Sequence, residues 1–171
     1  TPTRVKGLSF ATNLAGGVNF SLGAQSGGAA KWAGWKRIET GEWLVPESYE
    51  MVDLSGVATV VKVACGCSFG GALRRDGVLC TFGDNEYGQL GLGVTNIGIE
   101  TPAPALSNVS AIACGRSHLL AVKAGKVWAA GLNSHGQLGD GSFTARRSLV
   151  QVPGLNDIVA VSARENVSMA L

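Results

Sequence analysis

The stretches GDNEYGQLGLG at Gly83–Gly93 and GLNSHGQLGDG at Gly131–Gly141 are near copies set 48 residues apart. Self-similarity at a period of roughly 20–50 residues marks a chain built from stacked small units, not from one enzyme core. The same register runs through the rest of the chain. Ala64-Cys65-Gly66 returns 49 residues on as Ala113-Cys114-Gly115, and Ala72-Leu73 returns as Ala121-Val122 and Ala170-Leu171. Val5-Lys6-Gly7-Leu8 returns three periods later as Val152-Pro153-Gly154-Leu155, and Phe20, Gly28 and Gly34 align with Phe69, Gly77 and Gly83.

A period of 49 divides the 171 residues into about three and a half units. The whole units read as Gly17–Cys65, Gly66–Cys114 and Gly115–Ser162. Thr1–Gly16 reads as the tail of a preceding unit and Ala163–Leu171 as the first strand of a following one. Repeat units cannot bury their faces alone, and no cap is visible at either end. The expectation is therefore an oligomer, or a part of something larger, whose terminal segments contact further copies of the chain or another protein.

Within a unit the pattern is that of strands. In the third unit Ser117–Val122 is a short apolar run, Lys123–Lys126 carries an Ala-Gly turn, and Val127–Ala130 returns. Asp76-Gly77 makes the matching turn one unit earlier, and such pairs between apolar runs signal β-hairpins. A polar, glycine-punctuated loop follows, then the alternating Ser148–Val152 and a Pro-Gly stop. No window sustains helical apolar spacing. Four short strands per unit predict an all-β fold of four-stranded blades.

The blocks ACGxSHxLAV, GKVWAAGxNSHGQLGDG and VxVPGL, in that order and at that period, resemble the repeat of the regulator of chromosome condensation family. The resemblance covers Gly66–Val161. It implies a β-propeller, usually of seven blades, and a role in binding protein partners. The first unit departs from it: after Gly34 the chain reads Trp35-Lys36-Arg37-Ile38-Glu39-Thr40-Gly41 where the GQLG signature would stand.

The glycine-rich loops are not phosphate cradles, since no helix follows Gly93 or Gly141 and the loop repeats where a single site would not. Gly83, Asn85, Gln89 and Gly91, with Gly131, Asn133, Gln137 and Gly139, are read as structural. The asparagines form turns, the glutamines bond nearby backbone, and Leu90 and Leu138 anchor the loop. His118 reads as a satisfied structural histidine, with the adjacent Ser117 on the opposite face of its strand, and His135 as exposed; neither has a nucleophile beside it at repeat-independent spacing. Cys65, Cys67, Cys80 and Cys114 read as free thiols, which favours a reducing compartment. Cys65-Gly66-Cys67 lacks a His or second pair at zinc spacing. No cofactor, metal or catalytic centre is expected.

Net charge is +2, too small to predict nucleic-acid binding. No apolar run is long enough for a membrane-spanning helix. Of the sequons at Asn19, Asn108 and Asn166, the first and last lie three periods apart and are read as strand chemistry, and glycosylation is not implied. The residues that stand off the repeat pattern are the candidates for partner binding. They are Trp35, Lys36, Arg37 and Trp43 in the first unit, beside a core-filling Trp32, and Arg146 and Arg147 in the third. Arg74-Arg75 is a second loop pair that propeller geometry could present with them. The leading expectation is a non-catalytic scaffold. A structural or adhesive component of a bacterial surface or phage tail is the alternative, and an enzyme ranks third.

Overall fold

Lys123 and Lys126 face each other across Ala124-Gly125, whose φ values are 51° and 70°. Two consecutive positive φ angles match the right-handed twist of paired strands, so this dipeptide closes a tight antiparallel hairpin. Antiparallel hairpins, each with a positive-φ glycine at its tip (Gly28, Gly77 and Gly125) in the three blades, build most of the described residues. The computed structural model describes residues 6–18, 20–34, 36–37, 43–44, 51–95 and 98–171.

The first blade pairs β1 (Ala11–Gly16), β2 (Phe20–Gln25), β3 (Ala30–Gly34) and β6 (Val52–Asp53). A small hairpin, β4 (Lys36–Arg37) and β5 (Trp43–Leu44), lies between β3 and β6 in sequence. The second blade comprises β7 (Val60–Cys65), β8 (Phe69–Arg74), β9 (Leu79–Asp84) and β10 (Gly98–Leu106). The third comprises β11 (Val109–Cys114), β12 (His118–Lys123), β13 (Lys126–Gly131) and β14 (Arg146–Gln151). A last hairpin pairs β15 (Val161–Arg164) with β16 (Val167–Ala170). Every pairing is antiparallel, and the described residues include no helix.

Blade boundaries fall one strand ahead of the repeat units. The inner strand of each blade pairs with the strand that follows it, so the glycine phase at Gly66 and Gly115 marks the first turn of a blade, not its start. Ala11–Gly16 is accordingly the inner strand of the first blade, and the last segment carries two strands where one was expected.

Blades stack face to face, which is why β8 and β12 are apolar on both sides and buried through nearly their whole length. Leu22, Trp32, Val63 and Phe82 share the cluster between blades 1 and 2. Phe69, Leu79, Leu90 and Leu119 share that between blades 2 and 3, and Leu120, Leu138 and Val152 form the next. Trp32 is 6% exposed, so its indole fills the core. The outer strands β10 and β14 are largely open to solvent.

A second repeated device joins the blades. Phe10, Thr59, Asn108 and Asp157 follow one another at 49-residue steps and all hold φ between 49° and 60°. Each of the last three turns the next amide onto the hairpin tip of the previous blade. Val60 N–H donates to Gly28 O (2.9 Å), Val109 N–H to Gly77 O (2.9 Å) and Ile158 N–H to Gly125 O (3.0 Å).

The topology gives the molecule two unlike faces. One, the loop face, carries the turns between first and second strands and the long connections between third and fourth strands. The other, the hairpin face, carries the tight second-to-third turns and the links between blades.

Candidate functional site

The long connections of the loop face are held from within by the repeated Asn and Gln. Asn85 and Asn133 are fully buried. Their Oδ1 atoms accept the amide protons of Leu90 (3.1 Å) and Leu138 (3.0 Å). Asn85 Nδ2 donates to Val94 O at 2.9 Å, and Asn133 Nδ2 to Ser142 O at 3.0 Å and Thr144 O at 3.2 Å. Gln89 and Gln137 accept at Oε1 from the amides of Tyr87 (2.9 Å) and His135 (3.0 Å). The leucines that follow the glutamines, Leu90 and Leu138, are 0% and 1% exposed and pin each loop to its blade.

Gly83 and Gly131 end the third strands with φ of 95° and 108°, opposite Phe69 and His118. A Cβ at either would fall 2.4–2.5 Å from a carbonyl oxygen of the adjoining turn. Gly91 and Gly139 hold φ of 70° and 69°, again a matched pair. The loop of blade 2 also clasps its neighbour: Gly93 N–H donates to Arg147 O (2.9 Å), and Leu92 bridges to Ser148.

This internal satisfaction leaves tips rather than backbone for a partner. Tyr87 is 40% exposed and Phe143 75% exposed, and Arg147 is exposed nearby on the same face. Arg146 is differently placed. Its Nε donates to Asp140 Oδ2 at 2.6 Å, and Asp140 also accepts from the Ser142 amide and hydroxyl. Burial opposes charge on Asp140, but the bonds from Ser142 and Arg146 outweigh it and hold its carboxyl at about 2. Arg74 and Arg75 sit at the hairpin end of blade 2, with Arg74 paired to Asp76 at 2.6 Å. The two arginine pairs therefore lie on opposite faces and are not presented together.

Among the first-unit candidates, Trp35 lies outside the described residues. Lys36, Arg37 and Trp43 belong to the β4–β5 hairpin, where Arg37 pairs directly across from Trp43. That hairpin replaces the GQLG loop of blade 1 on the loop face and lies against β9 and β10 of blade 2.

Two features escape sequence reasoning. At the centre of the loop face a cleft of about 300 Å³ is lined by Gly66, Cys67, Gly115, Arg116, Arg164 and Glu165. Cys67 N–H donates to Arg116 O (2.9 Å) and Arg116 N–H to Glu165 O (2.8 Å), a ladder of inner turns at one phase of the repeat. The shared phase of residues 67, 116 and 165 is the signal that could have located it. Burial pushes the Cys65 thiol up to about 12 and raises that of Cys114 well above its ordinary value, which disfavours the reactive thiolate at both.

The second is a histidine partner. The serine beside His118 in sequence is Ser117, yet the one the fold brings to its Nε2 is Ser168, whose Oγ lies at 2.9 Å. The geometry differs from that of a Ser–His dyad. Ser168 Oγ–H is already given to Gln137 O at 2.6 Å, His118 is 0% exposed, and no carboxylate orients its Nδ1.

Two segments, residues 76–122 and 124–171, match the model of the "Regulator of chromosome condensation (RCC1) repeat", together more than half of the chain. A second model of the same description matches residues 109–137. The chain belongs to the RCC1 repeat family. It is 39% identical over 101 residues to the human "Probable E3 ubiquitin-protein ligase HERC4", covering 56% of this chain and 10% of that one. It is 30% identical over 142 residues to human "Protein RCC2", covering 79% and 26%. The chain thus spans about a tenth to a quarter of the length of these relatives. Yeast RCC1 (Prp20), in a crystal structure with Kap60, superposes with a TM-score of 0.84 at 21% identity, covering 100% of this chain and 44% of that one. Prp20p from Saccharomyces cerevisiae, in a second structure, gives 0.81 at 16%, covering 96% and 44%. The three blades and the last hairpin are a portion of a β-propeller.

Proposed function

We propose that this RCC1-repeat chain is a non-catalytic scaffold that grips a protein partner with its loop face. One observation carries the reading. The buried Asn85, Gln89, Asn133 and Gln137 lock the loops from inside, so exposed Tyr87, Phe143 and Arg147 project from a rigid support. Aromatic side chains and arginines dominate binding energy at protein interfaces, and a pre-ordered loop loses little entropy on binding. The β4–β5 hairpin with Lys36, Arg37 and Trp43 extends the same face over blade 2. Related structures support the class of function: the yeast Prp20p work concerns binding to Gsp1p and histones, and the same protein was crystallised with Kap60.

The test is affinity capture with the parent chain, followed by the triple variant Tyr87→Ala, Phe143→Ala, Arg147→Glu. A partner held through the loop face is lost from the variant and retained by the hairpin-face control Arg75→Glu. Equal retention by both variants would count against the loop face. Self-association without a foreign partner favours the structural component instead.

A further inference from the structure

Phe69 and His118 stand at the same phase of successive repeats, and each reaches across to the second strand of the next blade. At the junction of blades 2 and 3 the contact is apolar, with Phe69 and Leu119 in one buried cluster. At the junction of blade 3 with the last hairpin the same two positions are His118 and Ser168. The Ser168 hydroxyl proton is given to Gln137 O, so His118 Nε2 must carry the proton that bonds Ser168 Oγ. Nδ1 is then the bare nitrogen, buried without a partner and directly over Gly115. A proton arriving at Nδ1 finds no acceptor and creates a charge in a site with no countercharge.

The neighbouring elements supply none. β16 has no charged residue, and β15 ends in Arg164, which is exposed. The β11–β12 turn carries Arg116, itself 3.8 Å from Glu165 with both side chains 61% exposed. β11 brings Cys114, a neutral buried thiol, and the loop after β13 brings Asp140, already paired with Arg146. Lys123 and Lys126 lie at the opposite ends of their strands.

We propose that the junction between blade 3 and the β15–β16 hairpin is an acid-labile one, released by protonation of His118, whereas the Phe69 junction between blades 2 and 3 is indifferent to pH. Burial lowers the His118 pKa to about 4 from its ordinary 6.5, in the sense this requires. The closed junction binds no proton where the opened one does, so opening becomes more favourable as pH falls from 6.5 toward 4.

The backbone supplies matched reporters. Arg116 N–H and Ile158 N–H cross the His118 junction, while Cys67 N–H and Val109 N–H make the equivalent bonds across the Phe69 junction. Amide hydrogen exchange on the whole chain, corrected for intrinsic rates, is followed between about pH 7.5 and about pH 5. Protection of Arg116 and Ile158 falls roughly 30-fold over that range, and that of Cys67 and Val109 stays level. The double variant His118→Phe, Ser168→Leu copies the other junction and makes all four level. A flat response of Arg116 and Ile158 in the parent chain, or a loss that persists in the double variant, overturns the proposal. Should that variant not fold, the imidazole ¹⁵N resonances of the parent decide. Protonation of Nδ1 in step with loss of Arg116 protection supports the device, and protonation with protection intact overturns it.

Discussion

The ring of Phe69 lies over Gly66 so closely that a Cβ on that glycine would fall on the ring edge, and His118 lies over Gly115 in the same way. In both turns the glycine amide donates to the carbonyl of the ring residue, at 2.9 Å. The aromatic and the glycine are thus one unit of structure, repeated 49 residues apart. Neither ring has room to move, because each is buried against the next blade. Gly66→Ala and Gly115→Ala should each lower stability by at least about 2 kcal/mol through overpacking. Gly16→Ala, where nothing lies within 4 Å of the added methyl, should change it by less than about 0.5 kcal/mol. Chemical denaturation midpoints measure the difference, and equal effects at all three positions would refute the steric account.

Removing the Asn133 side chain strips the Leu138 amide of its acceptor and two loop carbonyls of their donor. Asn133→Ala should cost about 2–3 kcal/mol. Asn133→Asp keeps the acceptor and puts a carboxylate against those carbonyls, so it should not restore stability. Thermal melts of the two variants, with Asn85→Ala as the equivalent in blade 2, check this.

Acid should weaken the blade 3 loop through Asp140. Its carboxyl is held below its ordinary value of 3.8, so the native state favours the ionised form. The stabilisation is complete above that value and is lost as pH falls toward 2. Because Arg146 is 38% exposed, screening limits the effect to about 1 kcal/mol. Between about pH 5 and about pH 2.5 the parent should lose about 1 kcal/mol more stability than Asp140→Asn, since His118 and every other group titrates in both.

Thr59 shares its left-handed backbone with Asn108 and Asp157, two residue types that tolerate it. A β-branched residue there is strained. Thr59→Asn should therefore raise stability by up to about 1 kcal/mol, while the same change has no counterpart at Asn108. A lower melting temperature for Thr59→Asn would show that the bond from Thr59 Oγ1 to Ala58 O (2.7 Å) outweighs the strain.

What could be read from the sequence alone was whatever one repeat carries within itself. The Asn–Gln loops and the Ala124-Gly125 turn depend on neighbours a few residues away, and Gly83 and Gly131 on a turn of the same blade, so their types and spacing reveal the blade and its period. The contacts between repeats were not legible, because they join residues about fifty positions apart whose meeting depends on how blades stack. Stacking alone places Ser168 on His118, Leu119 on Phe69 and Arg116 beside Cys67. It also sets Arg74-Arg75 and Arg146-Arg147 at opposite ends of their blades, since a strand's direction, invisible in composition, decides which face its terminal charges reach. The β4–β5 hairpin shows the same division: the sequence marks a departure from GQLG after Gly34, but only pairing across the fold makes that departure a hairpin lying on blade 2.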